Sequence, residues 1–250
     1  MGFKVVIPAR YASSRLPGKP LKDIGGKPMI QRVYEQAEMS KASEVIDATD
    51  DERIQHVVEQ FGGTVVMTSS NHDSGTDRLQ EVAKQFAWGD EQLVVGVQGD
   101  EPMIPPVVID QVAENLARYP NVAMATLQDK IENMTELMDP NVVKTVCDHE
   151  GMALYFSRSA IPFGRDCFPE SLPEGVDYFR HIGIYGYRVS FLHQFSEWEM
   201  SPLERAEKLE QLRAMWYGAK IHLATAVETP PKGVDTQADL DLVRTYFKSV

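Results

Sequence analysis

The 250-residue sequence predicts an α/β protein, a doubly wound and mostly parallel sheet continued by a mixed β extension. Two patterns lead there. Through the first half, short β-branched runs alternate with stretches whose apolar residues recur at helical spacing, the rhythm of right-handed βαβ crossovers. After Tyr119, strand-like runs follow one another with few helices between them, which suits mixed or antiparallel pairing.

Residues 3–7 read as a buried strand ended by Pro8. Residues 29–39 place Met29, Ile30, Val33, Tyr34 and Ala37 on one helical face. A second strand follows at 44–48, although Asp47 stands where an apolar residue is expected. Thr49 or Asp50 is placed to cap the next helix, whose Ile54, Val57, Val58 and Phe61 face one way before Gly62 and Gly63 stop it. Residues 64–67 and 93–97 read as strands three and four, with a helix at 77–86 between them. Later strands are expected at 122–127, 142–147, 152–156 and 182–187, and residues 163–177 read as an exposed loop. One helix is predicted over 202–217, bracketed by Pro202 and Gly218, then a strand at 221–227 and a helix at 237–247. No internal repeat or low-complexity segment is present, and the chain is read as a single domain over 1–250.

With 43% apolar and 25% charged residues the composition is that of a globular protein. Lys and Arg number 25 against 37 Asp and Glu, a formal net charge of −12, which argues against nucleic acid or an anionic membrane as partner. The same acidity makes a local basic cluster conspicuous. Cys147 and Cys167 read as reduced thiols, since two cysteines in this length make no disulfide framework. No apolar run approaches the ~20 residues a bilayer span needs, and no signal peptide opens the sequence, so a cytoplasmic protein is expected.

Four places carry candidate chemistry. The loop Pro8-Ala9-Arg10-Tyr11-Ala12-Ser13-Ser14-Arg15-Leu16-Pro17-Gly18-Lys19 leaves the first strand at its carboxyl end, where open α/β sheets bind ligands. Arg10, Arg15, Lys19, the hydroxyls of Ser13 and Ser14 and free backbone N–H groups can surround a polyphosphate. It is no Walker A loop: Ser13 and Pro20 stand where that pattern needs Gly and Ser or Thr. The turn Gln98-Gly99-Asp100-Glu101 ends the fourth strand, and Asp100 is placed to hold Mg²⁺; a solvated acidic turn is the alternative. Asp235 is either a second metal ligand or part of a helix cap with Thr236. Ser74, Gly75, Thr76 and Arg78 open a helix, suited to a base edge or phosphate or to an ordinary N-cap. Spacing alone does not select Arg158, Arg165, His181, Tyr185, Glu210 or Gln211.

The opening block through Lys19-Pro20-Leu21 and Gly26-Lys27-Pro28-Met29-Ile30 resembles the 3-deoxy-manno-octulosonate cytidylyltransferases, which activate the acid sugar Kdo. So do His72-Asp73-Ser74-Gly75-Thr76-Asp77-Arg78, Val97-Gln98-Gly99-Asp100-Glu101-Pro102 and Ala153-Leu154-Tyr155-Phe156-Ser157-Arg158. Arg180-His181-Ile182-Gly183-Ile184-Tyr185, Leu209-Glu210-Gln211-Leu212-Arg213 and Gly233-Val234-Asp235-Thr236 extend the likeness over the whole chain. The resemblance implies a nucleotidyltransferase of Rossmann-like fold that transfers CMP from CTP to Kdo, with residues 1–120 mainly binding CTP. It implies that residues 121–250 serve mainly Kdo and a homodimer contact. It assigns Arg10, Arg15 and Lys19 to the triphosphate, and Asp100 and Asp235 to catalysis through Mg²⁺. Ser13, Ser74, Thr76, Arg78 and Gln98 go to CTP. Gln98, Arg158, Arg165, His181, Tyr185, Glu210 and Gln211 go to Kdo. Other readings are a cytidylyltransferase for another acid sugar, such as 8-amino-Kdo or sialic acid, and a non-catalytic nucleotide sensor.

Overall fold

A computed structural model describes residues 2–12, 16–72 and 74–248. The candidate residues Ser13 and Arg15 lie outside the described residues. The core is a nine-stranded sheet built on β1 (Phe3–Ala9), β4 (Glu44–Thr49), β5 (Val65–Met67) and β6 (Leu93–Gly96), all parallel. The sheet continues through β7 (Met124–Ile131), β10 (Tyr178–Arg188) and β11 (Ile221–Thr225), giving the order β11-β7-β10-β6-β1-β4-β5. Along this path only β10 runs against its neighbours, pairing antiparallel with β6 and β7. The strands β8 (Lys144–Cys147) and β9 (Ala153–Ser157) form the antiparallel extension, hung on the amino end of β10. A two-residue hairpin, β2 (Asp23–Ile24) and β3 (Lys27–Pro28), turns on Gly25 and Gly26, whose φ of 59° and 83° a side chain would resist.

Alternation along the strands decides which helices cover which face. Val5, Ile7, Val45 and Val95 meet α1 (Met29–Glu38), α2 (Glu52–Gln60) and α4 (Pro106–Arg118). Val6, Ile46, Ala48 and Val94 meet α3 (Gly75–Gln85), α6 (Val189–Glu197) and α8 (Gln211–Trp216). Each aliphatic side chain buried this way contributes about 1.5–3 kcal/mol relative to exposure. A smaller cluster of Leu16, Ile24, Met29, Val234, Leu240 and Val243 seats α9 (Gln237–Lys248) against the hairpin, which fixes the loop before α9 over the carboxyl edge of the sheet. The short α5 (Met134–Met138) caps a fourth cluster with Ile131 and Tyr178. No helix among the described residues is long and apolar enough to cross a membrane.

Four local expectations are corrected. The cap of α2 is Asp51, whose carboxylate accepts from Arg53 N, and neither Thr49 nor Asp50. The helix expected over 202–217 is two, α7 (Pro202–Glu207) and α8, broken where Lys208 adopts a φ of 54°. The helices α4 and α6 were not anticipated, although Val108, Ile109, Val112 and Leu116 carry the helical period. Asp47 does occupy a core position: it is 0% exposed, and neither carboxyl oxygen has a partner among the described residues. Burial pushes its pKa well up, so it is held as the neutral acid.

Candidate active site

The candidate residues gather at the carboxyl ends of β1 and β6. Gly18 N donates to the Tyr11 carbonyl at 3.2 Å and closes the loop between them into a ring. Gly18 has a φ of 66°, and a Cβ there would stand 3.1 Å from the Tyr11 hydroxyl, so glycine is required on both counts. Arg53 lies over the Tyr11 ring, 3.3 Å from its centroid. This bracing delivers Lys19, the first residue of a short 3-10 turn, to the sheet edge.

Lys19 Nζ donates to Asp100 Oδ2 at 2.6 Å and to Asp235 Oδ1 at 3.3 Å. Its side chain is 14% exposed, against 32% and 36% for the two acids. Val234 N donates to the Asp100 carbonyl at 2.8 Å, which ties the loop before α9 to the turn after β6. Thr236 and Asp239 provide the cap of α9: Thr236 Oγ1 accepts from Asp239 N and Asp239 Oδ2 accepts from Thr236 N. Asp235 contributes its backbone N–H to Asp239 Oδ2 at 3.2 Å, while its carboxylate accepts from Lys19. A Cβ on Gly99 would meet the Pro8 carbonyl at 3.0 Å, so this turn packs directly on β1. In this turn Asp100 is a third exposed, Glu101 Oε2 is buried, and burial, helped by the charge on Asp100, raises the pKa of Glu101 to about 8. Arg10 donates to the His72 carbonyl, and His72 pairs with Glu81.

Two carboxylates converging on one cation are a donor set suited to a hard divalent ion, which takes its remaining oxygens from water and phosphate. Among the described residues no group of three or more His, Cys, Asp or Glu is gathered so as to hold a metal ion.

Beside this trio opens a cleft of about 250 Å³ lined by Pro8, Ser74, Thr76, Gln98, Tyr185, Tyr187 and Glu210, among others. Ser74 caps α3 in a capping box with Asp77, so the positive end of that helix faces the cleft. Tyr185 stands opposite Gly96 in the β10–β6 ladder, and across a bulge between Ile182 and Tyr185 the His181 ring lies tilted at 42° with its centroid 5.1 Å from that of Tyr185. His181 Nε2 lies 2.9 Å from Thr126 Oγ1, and burial lowers its pKa to about 3, so it is neutral at any working pH. Gln211 is buried in a small space behind Glu210, between Thr76, Tyr185 and Tyr187. Sequence reasoning missed Tyr187, although it shares the period-two face of Tyr185, and missed the buried state of Glu101.

Three assigned residues stand elsewhere. Arg78 is 0% exposed and is spent on Asp50, at 2.9 Å, and on Thr68, tying α3 to the end of β4 instead of lining the cleft. Arg158 donates to the carbonyls of Glu207 and Pro140 at 2.7 and 2.9 Å and lines a separate apolar groove with Phe163 and Phe168. Arg165 is 92% exposed beside Asp166 and lines neither space. The loop expectation for 163–177 holds for most of its residues, though Phe168 packs under Tyr178.

Comparison with known proteins adds the chemistry. The cytidylyltransferase family profile matches residues 4–221. A 3-deoxy-manno-octulosonate cytidylyltransferase of Pseudomonas fluorescens (strain Pf-5) is 58% identical over 250 residues, covering 99% of this chain and 98% of its own. One from Glaesserella parasuis serovar 5 is 56% identical over 247 residues, covering 98% and 96%. A solved structure of CMP:2-keto-3-deoxy-manno-octonic acid synthetase complexed with CTP superposes with a TM-score of 0.91 at 44% identity, covering 100% of this chain and 99% of that one. A cytidylyltransferase from Leptospira borgpetersenii, 18% identical with a TM-score of 0.65, shares the fold.

Proposed function

The chain belongs to the 3-deoxy-manno-octulosonate cytidylyltransferase family, and from that premise we propose that it transfers CMP from CTP to Kdo, releasing pyrophosphate and giving CMP-Kdo. The observation that carries the reading is Lys19 held between Asp100 and Asp235 at the carboxyl edge of the sheet, with Asp100 two residues past Gln98, which lines the cleft. Transfer of a nucleotidyl group is mostly positioning and electrostatics, and cations beside a shaped pocket supply both.

In this reading the anomeric 2-hydroxyl of Kdo forms the new bond to the α-phosphorus, and the bond from that phosphorus to the β-phosphate oxygen breaks. Lys19, with Arg10 and Arg15, carries the charge that builds on the departing pyrophosphate. Ser74, Thr76 and Gln98 hold the nucleotide, and Tyr185, Glu210 and Gln211, with His181 as a neutral partner, shape the sugar pocket. Asp100 and Asp235 would hold Mg²⁺, which when bound lowers the negative charge on the phosphates and steadies the attacking oxygen. Arg158 and Arg165 reach the sugar only if their segments move in.

The product would serve lipopolysaccharide assembly, in the cytoplasm, and the second half of the chain would carry a homodimer contact. A panel of acid sugars tests the substrate. Pyrophosphate release from CTP should be fastest with Kdo; faster release with 8-amino-Kdo or sialic acid overturns the sugar assignment. Light scattering at twice the mass of the 250-residue chain would support the dimer, and the monomer mass would refute it.

A further inference from the structure

Residues 202–217 carry the marks of a single helix, yet the chain breaks in the middle, and the break brings Glu210 to the cleft. Lys208 takes the left-handed conformation, α7 ends, and Glu210 becomes the N-cap residue of α8 instead of a mid-helix residue. Two sets of contacts hold this corner. Ser201 and Glu204 form a capping box at the start of α7, and Glu204, 5% exposed, also accepts from Arg213 Nε at 2.9 Å and Nη2 at 2.7 Å. On the other side, Glu207 accepts from Ser157 Oγ at 2.7 Å and from Arg158 N at 2.9 Å, which anchors α7 to β9.

Arg213 follows Glu210 by three residues and so shares its side of α8. Its guanidinium also covers the Phe195 ring at 4.5 Å and does not line the cleft. Glu210 is the half-buried end of this arrangement, lining the cleft. Its Oε1 is buried without a hydrogen-bond partner among the described residues. The groups facing it are Ser74, Thr76 and Asp77 from α3, Tyr185 and Tyr187 from β10, and Arg213 from its own helix. Burial raises the pKa of Glu210 and Asp77 adds to that; the Ser74 hydroxyl, Arg213 and Thr76 act against it. Arg213 is therefore the charged group that favours the carboxylate, and Asp77 the one that opposes it.

We propose that Arg213 is a positioning residue for sugar recognition: clamped by Glu204 across the break between α7 and α8, it holds the corner that presents Glu210 to sugar hydroxyls at the cleft. The proposal rests on the reading that Glu210 serves the sugar.

The test compares Arg213→Met, Arg213→Lys and Glu210→Gln by kcat/KM for Kdo and for CTP across pH, with Tm measured at each pH. Arg213→Met should lower kcat/KM for Kdo at least about tenfold at neutral pH while changing that for CTP less than about threefold. Removing the cation raises the Glu210 pKa, so the acid limb of the Kdo profile should move to higher pH. Arg213→Lys keeps the charge and should restore the limb while losing Tm, because lysine cannot make the two-pronged contact. An unmoved limb in Arg213→Met, with both substrates affected in proportion to lost Tm, overturns the proposal, as does a limb in Arg213→Lys shifted as far as in Arg213→Met. Glu210→Gln with wild-type behaviour toward Kdo would instead show that the premise about Glu210 is wrong.

Discussion

Replacing Lys19 by Met removes the one ammonium that Asp100 and Asp235 are seen to share, at 2.6 and 3.3 Å. Breaking a fully buried charge pair costs ~3–5 kcal/mol, and an exposed pair is worth ~0–1. Here the lysine is 14% exposed and the acids about a third, so a value of about 1–2 kcal/mol is appropriate. For a chain of this length that is a fall in Tm of roughly 2–8 °C. The rate should fall further than the stability, by about 10² or more, because the lysine's charge is needed most on the departing pyrophosphate. Added Mg²⁺ should raise the Tm of the variant more than that of wild type, since the bound ion then replaces the positive charge lost with the lysine. Differential scanning fluorimetry with and without Mg²⁺, beside a pyrophosphate-release assay, reads all three. A Tm within 1 °C of wild type and a rate within about twofold would refute the reasoning.

Arg78→Met should cost ~3–5 kcal/mol, because it strands Asp50 beside a buried apolar group, and should leave the KM for CTP of the folded enzyme near wild type; a raised KM at unchanged Tm would return Arg78 to the nucleotide. Gly99→Ala puts a methyl 3.0 Å from the Pro8 carbonyl and should cost about 1–3 kcal/mol while raising the KM for CTP, both read from thermal melts and initial rates. His181 has a folded pKa of about 3, below its unfolded value, so the unfolded chain binds the extra proton between those two values. Stability due to this group is present above about pH 6.5 and is lost as pH falls toward 3. His181→Asn should therefore show a smaller drop in Tm between pH 8 and pH 5 than wild type; an equal drop would mean that His181 titrates normally.

Much of this architecture is legible from residue pattern because the parallel half of the sheet obeys simple rules. Val5, Val6 and Ile7 are buried on both faces, and the helices after them carry single apolar stripes. The meeting of Lys19 with the acid after β6 was also legible, since both follow the carboxyl ends of parallel strands. What escaped was set by tertiary contacts. Lys208 breaks a helix without Gly or Pro because Glu204 and Glu207 are claimed by Arg213 and by β9. Arg78 looked like a ligand residue at a helix start, but its length lets it reach inward to Asp50. Asp47 sits in an apolar face as a neutral acid, a state that residue type alone does not announce. The α9 cap depended on Asp239, which accepts from both Asp235 N and Thr236 N and which residue spacing did not single out.

The most direct test of the central claim follows label from CTP in the presence of Mg²⁺ and Kdo. Label at the α-phosphorus should appear in a sugar-linked CMP product, and label at the γ-phosphorus in pyrophosphate, in equal amounts and only when Kdo is present. Release of labelled pyrophosphate without Kdo, or of free orthophosphate in its place, would contradict nucleotidyl transfer to the sugar.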